Sequence, residues 1–118
     1  MKWIGIIGDR NLTLASIQRM KHTGAVRTYH VSDERYCVEY PDGHIFFDYD
    51  TDLSDWKDDI DKLPFMAEAV IMIVYQNAAN VRHVLMQTDF PQNVYVDNDF
   101  GVLLPLKDYI AAEMPMEE

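Results

Sequence analysis

The chain has 118 residues, with 10 basic and 20 acidic side chains and a formal net charge of −10. Its length suits one domain, and an apolar fraction of 48% excludes an intrinsically disordered chain. A single cysteine excludes an intrachain disulfide framework, and the acidic balance argues against a nucleic-acid-binding protein that works by neutralising phosphates.

No part of the sequence predicts a membrane segment. The longest apolar run covers residues 69–75, far short of the ~20 residues that span a bilayer. The apolar run at the N-terminus is too short for the core of a signal peptide. We therefore expect a cytoplasmic protein with no membrane partner, whose Cys37 stays reduced.

The first part of the chain predicts a strand, a helix and a second strand. Residues 3–8 form a nearly continuous apolar run, which is typical of a strand covered on both faces. Asn11 is expected to cap a helix over residues 14–20, because apolar side chains recur there every three positions. Residues 25–31 are rich enough in strand formers to predict a second strand.

A β-hairpin follows. The stretches 36–40 and 44–49 flank Pro41-Asp42-Gly43. Proline presets its own φ, and glycine can adopt a positive φ that other residues resist. This combination predicts a tight turn between two antiparallel strands.

The second half continues the alternation of helices and strands. Residues 69–75 are seven consecutive apolar residues, which is the strongest signal for a buried strand in this chain. Thr51 or Asp52 is expected to cap the helix before this strand, and Asn77 the helix after it. The remaining predicted elements are two short strands and a last helix, at residues 94–96, 102–104 and 106–110.

This order of elements predicts a three-layer α/β/α sandwich with a mixed sheet. The strands at 3–8 and 69–75 are expected to be central and parallel, with right-handed crossovers and the antiparallel hairpin toward one edge. Residues 1–112 would form a single α/β domain, and residues 113–118 a frayed acidic tail.

In such a sheet, ligands bind beyond the carboxyl ends of parallel strands. The strand ends predict a crevice at which five side chains converge, and Arg10 could grip a carboxylate or phosphate there. The alternative is that the aspartate and asparagines only cap helices. The five candidate ligand-binding residues are Asp9, Arg10, Asn11, Gln76 and Asn77.

The run Ile4-Gly5-Ile6-Ile7-Gly8-Asp9 resembles the first strand of class I glutamine-amidotransferase-like domains. That resemblance implies a nucleophilic cysteine within a Gly-x-Cys-x-Gly turn. Cys37 lies instead in Arg35-Tyr36-Cys37-Val38-Glu39, with no glycine beside it. We therefore carry over no activity and interpret Cys37 as a buried apolar side chain.

The densest feature is a group of seven aspartates within the fourteen residues 48–61. A divalent-cation loop of the EF-hand type fails, because its sixth and twelfth positions hold Leu53 and Asp59. An aspartate-nucleophile phosphatase would suit Asp48-Tyr49-Asp50 after an apolar strand, but Asp52 stands where that motif has threonine. The plainest alternative is that these acids favour a helix N-terminus and solvate an exposed face.

The charge is unevenly distributed. Residues 1–35 carry six basic and three acidic side chains, whereas residues 36–118 carry four and seventeen. An acidic surface attracts basic proteins by electrostatic steering. We therefore expect a protein-binding domain without intrinsic catalysis, such as an inhibitor or immunity-type protein that binds a basic effector. The predicted partner-binding residues are Asp48, Tyr49, Asp50, Asp52, Asp55, Trp56, Asp58 and Asp59.

Other chemistries find no support in the sequence. The four histidines lack the spacing of metal ligands, and no serine stands in a nucleophile motif, so we expect neither a metal nor a cofactor. A homodimer remains a further alternative, formed through aromatic side chains if these share one exposed face of the sheet. The aromatic residues concerned are Tyr29, Tyr36, Tyr40, Phe46 and Tyr49.

Overall fold

The computed structural model describes residues 2–118, which form one seven-stranded sheet. Its strands, in chain order, are β1 Lys2–Gly8, β2 Arg27–Ser32, β3 Arg35–Tyr40, β4 Gly43–Asp50, β5 Ala69–Tyr75, β6 Tyr95–Asp97 and β7 Leu103–Pro105. They lie in the spatial order β2-β3-β4-β5-β1-β6-β7. Every neighbouring pair is antiparallel.

The predicted three-layer sandwich with parallel central strands is wrong. Strands β1 and β5 are central neighbours, but they run antiparallel, so that Lys2 lies opposite Tyr75 and Gly8 opposite Ala69. The apolar runs indicated that both faces of these strands are covered. They carried no information on strand direction, because an antiparallel strand that is covered on both faces has the same pattern.

The helices are short, namely α1 Leu14–Gln18, α2 Lys57–Ile60, α3 Ala78–Leu85 and α4 Leu106–Ala111, with a 3₁₀ turn at Leu53–Trp56. None of those formed by residues 2–118 is long and apolar enough to cross a bilayer. The predicted caps Asp52 and Asn77 are confirmed, since each accepts a hydrogen bond from the backbone N–H two residues on. Thr13, not Asn11, caps α1, because it forms a reciprocal pair of hydrogen bonds with Ser16.

One face of the sheet, here called the inner face, carries the main core. Helices α1, α3 and α4 pack on this face, and each contributes apolar side chains that water does not reach. Ile17, Val81 and Leu106 are fully buried there. These side chains pack against alternate residues of the strands, including Ile4, Ile6, Val38, Ile45, Phe47, Ile71, Ile73 and Val96.

The opposite face, here called the outer face, is covered over only part of its width. The segment formed by the 3₁₀ turn and α2 lies over β1 and β5, where Trp56 packs with Ile7 and Val70. Toward β2, long side chains of the strands themselves lie over the outer face. The guanidinium of Arg35 lies 4.5 Å from the centre of the Phe46 ring in this region.

The predicted hairpin of β3 and β4 is confirmed, but the five aromatic side chains considered for a homodimer do not share one face of the sheet. Tyr36, Tyr40 and Tyr49 belong to the core of the inner face, whereas Tyr29 and Phe46 lie on the outer face. Strand alternation separates them. Cys37 is fully buried in β3, as predicted, and burial raises the pKa of its thiol.

The last residues, for which the sequence predicts a frayed tail, contact the rest of the fold. Met114 is buried in the main core, and the Glu118 carboxylate pairs with Arg82. The hydroxyl of Tyr75 donates a hydrogen bond of 2.7 Å to the Glu117 carbonyl. Residues 113–118 are thus part of the folded unit.

Candidate functional site

The predicted crevice at the strand ends does not form. Because β1 and β5 are antiparallel, Asp9 leaves the sheet at the end where β5 begins. Gln76 and Asn77 leave it at the opposite end, about 20 Å away along a seven-residue strand. The two halves of this candidate site therefore cannot contact one ligand.

The members of that predicted site have local partners. Asp9 accepts a hydrogen bond of 2.8 Å from the backbone N–H of Asn11, and Arg10 is exposed. Gln76 accepts a bond of 2.9 Å from the backbone N–H of His44. Asn77 caps α3. Of the helix caps that the alternative interpretation assigned to the aspartate and asparagines, only Asn77 is confirmed, because Thr13 caps α1.

Two of the five residues of the predicted site line a different cleft. Asp9 and Asn11 face the loop that follows α3 across a cleft of about 430 Å³, together with Arg19, Asp89 and Asn93. The carboxylates of Asp9 and Asp89 already accept hydrogen bonds from backbone N–H groups. Arg19 forms no ion pair within residues 2–118, so its guanidinium is the free charge of this cleft.

Two residues of the predicted partner-binding surface, Asp48 and Tyr49, have partners within the fold. Asp48 lies on the outer face of β4 and accepts bonds of 2.6 and 2.8 Å from the guanidinium of Arg35. Two parallel bonds of this kind occupy both carboxylate oxygens. Tyr49 points to the inner face and packs against the main core.

Asp52 and Asp58 are exposed near the segment that covers the outer face. Asp52 caps the 3₁₀ turn, and hydrogen bonds from Ser54 hold the pKa of its carboxyl below the usual value. Asp58 lies in the first turn of α2, where the helix dipole favours a negative charge.

The remaining acids converge. Asp50, Asp55 and Asp59 line a single recess of about 340 Å³ on the outer face, where Asp99 from the loop after β6 joins them. Apolar side chains from β1, the 3₁₀ turn and β5 line the same recess. We call it the acidic recess, and its residues are Trp3, Asp50, Asp55, Trp56, Asp59, Met72 and Asp99.

Two tryptophans give the acidic recess an aromatic wall. The rings of Trp3 and Trp56 meet edge to face, with centroids 5.5 Å apart and planes at 79°. The Trp56 side chain is held by a hydrogen bond of 2.8 Å from its Nε1 to Oδ2 of Asp50. This bond joins the wall to the acidic rim.

Beside the recess, Asp97 is a buried carboxyl, with only 5% of the residue exposed. It accepts a hydrogen bond of 2.9 Å from the backbone N–H of Asp99. Burial, followed by its interaction with the carboxyl of Asp59, raises the pKa of Asp97 to about 6. Near neutral pH, therefore, β6 and α2 hold two carboxylates close to each other.

Sequence reasoning did not place Trp3, Met72, Asp97 or Asp99 at this site. They come from β1, β5 and the region of β6, and they meet the residue 50–59 segment only because of the antiparallel strand order. Nothing in the local pattern signals that order. The turn-like composition of residues 97–99 was the one visible hint.

The acidic recess suits a cationic organic group. Carboxylates at its rim can accept hydrogen bonds from an ammonium or guanidinium, and aromatic rings attract cations by their faces. Within residues 2–118, no group of three or more histidine, cysteine, aspartate or glutamate side chains is arranged to hold a metal ion.

No model of a known protein family matches the sequence, and comparisons with curated proteins and with solved structures return no match.

Proposed function

We propose that this protein binds a basic protein through the acidic recess, as an inhibitor or immunity-type protein would bind a basic effector. The observation that carries the proposal is the convergence of four aspartates on one concavity with two tryptophans. If these acids only solvated a helix, they would be distributed over its exposed faces.

The recess combines the two features that recognise a basic side chain. The surrounding negative charge speeds the approach of a positively charged partner, and this effect weakens as salt is added. Once a lysine or arginine has entered, the carboxylates and the partly exposed ring of Trp3 can contact its charged end, while the buried Trp56 forms the floor beneath them. Asp58, exposed on α2, adds to the attracting field.

Tryptophan fluorescence gives a direct test of occupancy. The chain has only two tryptophans, and both line the acidic recess. Titration with an arginine-rich peptide is expected to change their emission, and the change should shrink as the salt concentration rises. A peptide of equal length made of glycine and serine serves as the control and is expected to leave the emission unchanged.

Matched variants separate a local site from total charge. Replacing Asp55, Asp58 and Asp59 together by asparagine should slow association and flatten its salt dependence. The control removes the same charge at exposed acids elsewhere, by Glu68→Gln, Asp108→Asn and Glu113→Gln. Equal effects of the two triple variants on the association rate would contradict binding at the acidic recess. If the two triple variants differ, a pull-down from the source cell with the wild-type chain would identify the natural partner.

The cleft at Asp9 and Asn11 supports a second candidate, the binding of a small anionic ligand. Arg19 supplies a positive charge and Asn93 an amide, while the carboxylates of Asp9 and Asp89 in the same cleft accept hydrogen bonds from backbone N–H groups. A ligand that binds only the folded state raises the unfolding temperature. A panel of carboxylates, phosphosugars and nucleotides is expected to contain a stabilising compound whose effect Arg19→Ala removes. A blank panel contradicts this candidate.

A further inference from the structure

The two edges of the sheet differ in how they are protected from pairing with another strand. At one edge, β7 has three residues and ends at Pro105, which lacks a backbone N–H, and α4 begins immediately afterwards. Short strands and prolines are common means of blocking an edge. The other edge is β2, which is six residues long and contains no proline.

Strand β2 is open to solvent. Five of its six residues are exposed, and it is paired on one side only, with β3. Val26 and Val31, at its two ends, are 64% and 52% exposed. A bulge lies between His30 and Ser32, so Arg27 to His30 is the regular part. Backbone groups along such an edge can pair with a further strand.

The two ends of β2 carry opposite charges. Arg27 begins the strand, and its side chain is 66% exposed although it pairs with Glu39. Asp33 and Glu34 form the exposed turn just after the strand, and neither joins an ion pair within residues 2–118. Residues 10–32 contain no acid at all. One end of the edge therefore presents an exposed guanidinium that already has one carboxylate partner, Glu39, and the other end presents two carboxylates outside these ion pairs.

We propose that β2 pairs with β2 of a second copy of this chain, in antiparallel orientation. A two-fold axis then places Arg27 of each copy beside Asp33 and Glu34 of the other, so both ends of the contact are charge-complementary. The residues between these ends, from Thr28 to Val31, face each other, so the contact includes the bulge after His30. The contact uses the same strand on both copies, so it closes as a dimer.

The contact is small, since a strand of this length spans about 20 Å. Small interfaces form weak complexes, and both chains carry a net charge of −10. We therefore expect a reversible dimer in the micromolar-to-millimolar range. Sedimentation velocity from about 5 to about 500 µM, at about 0.15 M salt, covers that range. A wild-type chain that stays monomeric throughout overturns the proposal.

Two substitutions of exposed apolar residues locate the contact. Val31→Lys places a charge on the β2 edge and is expected to weaken the dimer about tenfold, because edge lysines oppose strand pairing. Met66→Lys is the matched control, since Met66 is 83% exposed and lines a cleft with Tyr95 and Pro105, at the opposite edge of the sheet from β2. It should leave the association unchanged. If Val31→Lys has no effect, the dimer forms elsewhere and the proposal is wrong.

Charge reversal tests the orientation. Two variants put like charges at both ends of a homodimer, and each should therefore be monomeric. One is Arg27→Glu, and the other is the double change Asp33→Lys with Glu34→Lys. An equimolar mixture should dimerise, since every reversed end then meets an opposite charge. Circular dichroism checks the folding of each variant. Arg27→Glu could unfold because Glu39 repels the new carboxylate. In that case the double variant Asp33→Lys with Glu34→Lys decides alone. If this double variant still dimerises, the antiparallel arrangement is contradicted.

Discussion

The indole ring of Trp56 lies directly on the backbone of Gly5. A β-carbon at position 5 would lie 2.6 Å from both Cζ3 and Cη2 of that ring. Glycine in a central strand normally weakens the strand, and it often marks a place where another group approaches closely. Here the close approach lets the 3₁₀ turn dock on β1 and brings its aspartates to the acidic recess.

Gly5→Ala is therefore expected to displace Trp56 and to lower the free energy of unfolding by about 2 kcal/mol, as overpacking of a core does. Denaturant titration followed by tryptophan emission measures both effects. The double variant with Trp56→Leu, which removes the colliding ring, should lose less stability than the two single changes added together. Additive losses would show that the ring does not limit the space at Gly5.

The buried carboxyl of Asp97 predicts a specific pH dependence. Its pKa of about 6 in the folded chain exceeds the ordinary value of 3.8. Between these pH values the folded chain binds a proton that the unfolded chain has released. This group therefore lowers the free energy of unfolding as the pH rises from about 4 to about 6.

Asp97→Asn removes this dependence and keeps an oxygen for the backbone N–H of Asp99. The variant is expected to be more stable than the wild type by about 1–2 kcal/mol at pH 7.5, and by much less at pH 4. The measurement is the difference between the two chains, since acids with a lowered pKa, such as Glu39, act in the opposite direction in both. A difference that stays constant with pH would contradict the assignment.

The docked tail predicts a loss of stability on truncation. Removing residues 113–118 takes Met114 out of the core and deprives Tyr75 and Arg82 of their partners. We expect the free energy of unfolding to fall by about 2–4 kcal/mol, comparable to truncating a buried methionine. Glu118→Gln, which only weakens an exposed ion pair, should change the free energy of unfolding far less than the truncation does. Equal melting temperatures of the truncated and full chains would show that the tail is not docked.

The sequence predicted the succession of elements well but not the way the strands pair. Turn chemistry at Pro41-Asp42-Gly43 and caps at Asp52 and Asn77 are local, so they could be identified without tertiary information. Strand direction is not local. The apolar runs of β1 and β5 depend on burial alone, and burial is the same for a parallel and an antiparallel neighbour.

The candidate site followed the same division. The acid-rich segment was visible because its residues are consecutive, but their separate fates depend on strand alternation and on neighbours distant in sequence. Asp48 and Asp50 lie on the same face of β4, yet they have different hydrogen-bond donors. Asp48 binds the guanidinium of Arg35 on β3, and Asp50 binds the indole N–H of Trp56. Only the sheet order brings Asp99 to the recess.

The pairing of Arg35 with Asp48 gives a final prediction, because it gives a partner within the fold to an acid that the sequence assigned to partner binding. Asp48→Asn should lower the free energy of unfolding by about 1 kcal/mol, since it weakens a partly exposed bidentate ion pair.

The same change should leave the response of tryptophan emission to an arginine-rich peptide unaltered apart from the small loss of total charge. Asp59→Asn, which removes the same charge at the acidic recess, is the comparison and should weaken that response several-fold. If the two variants weaken binding of the peptide equally, the binding surface extends across β4 and is not confined to the acidic recess.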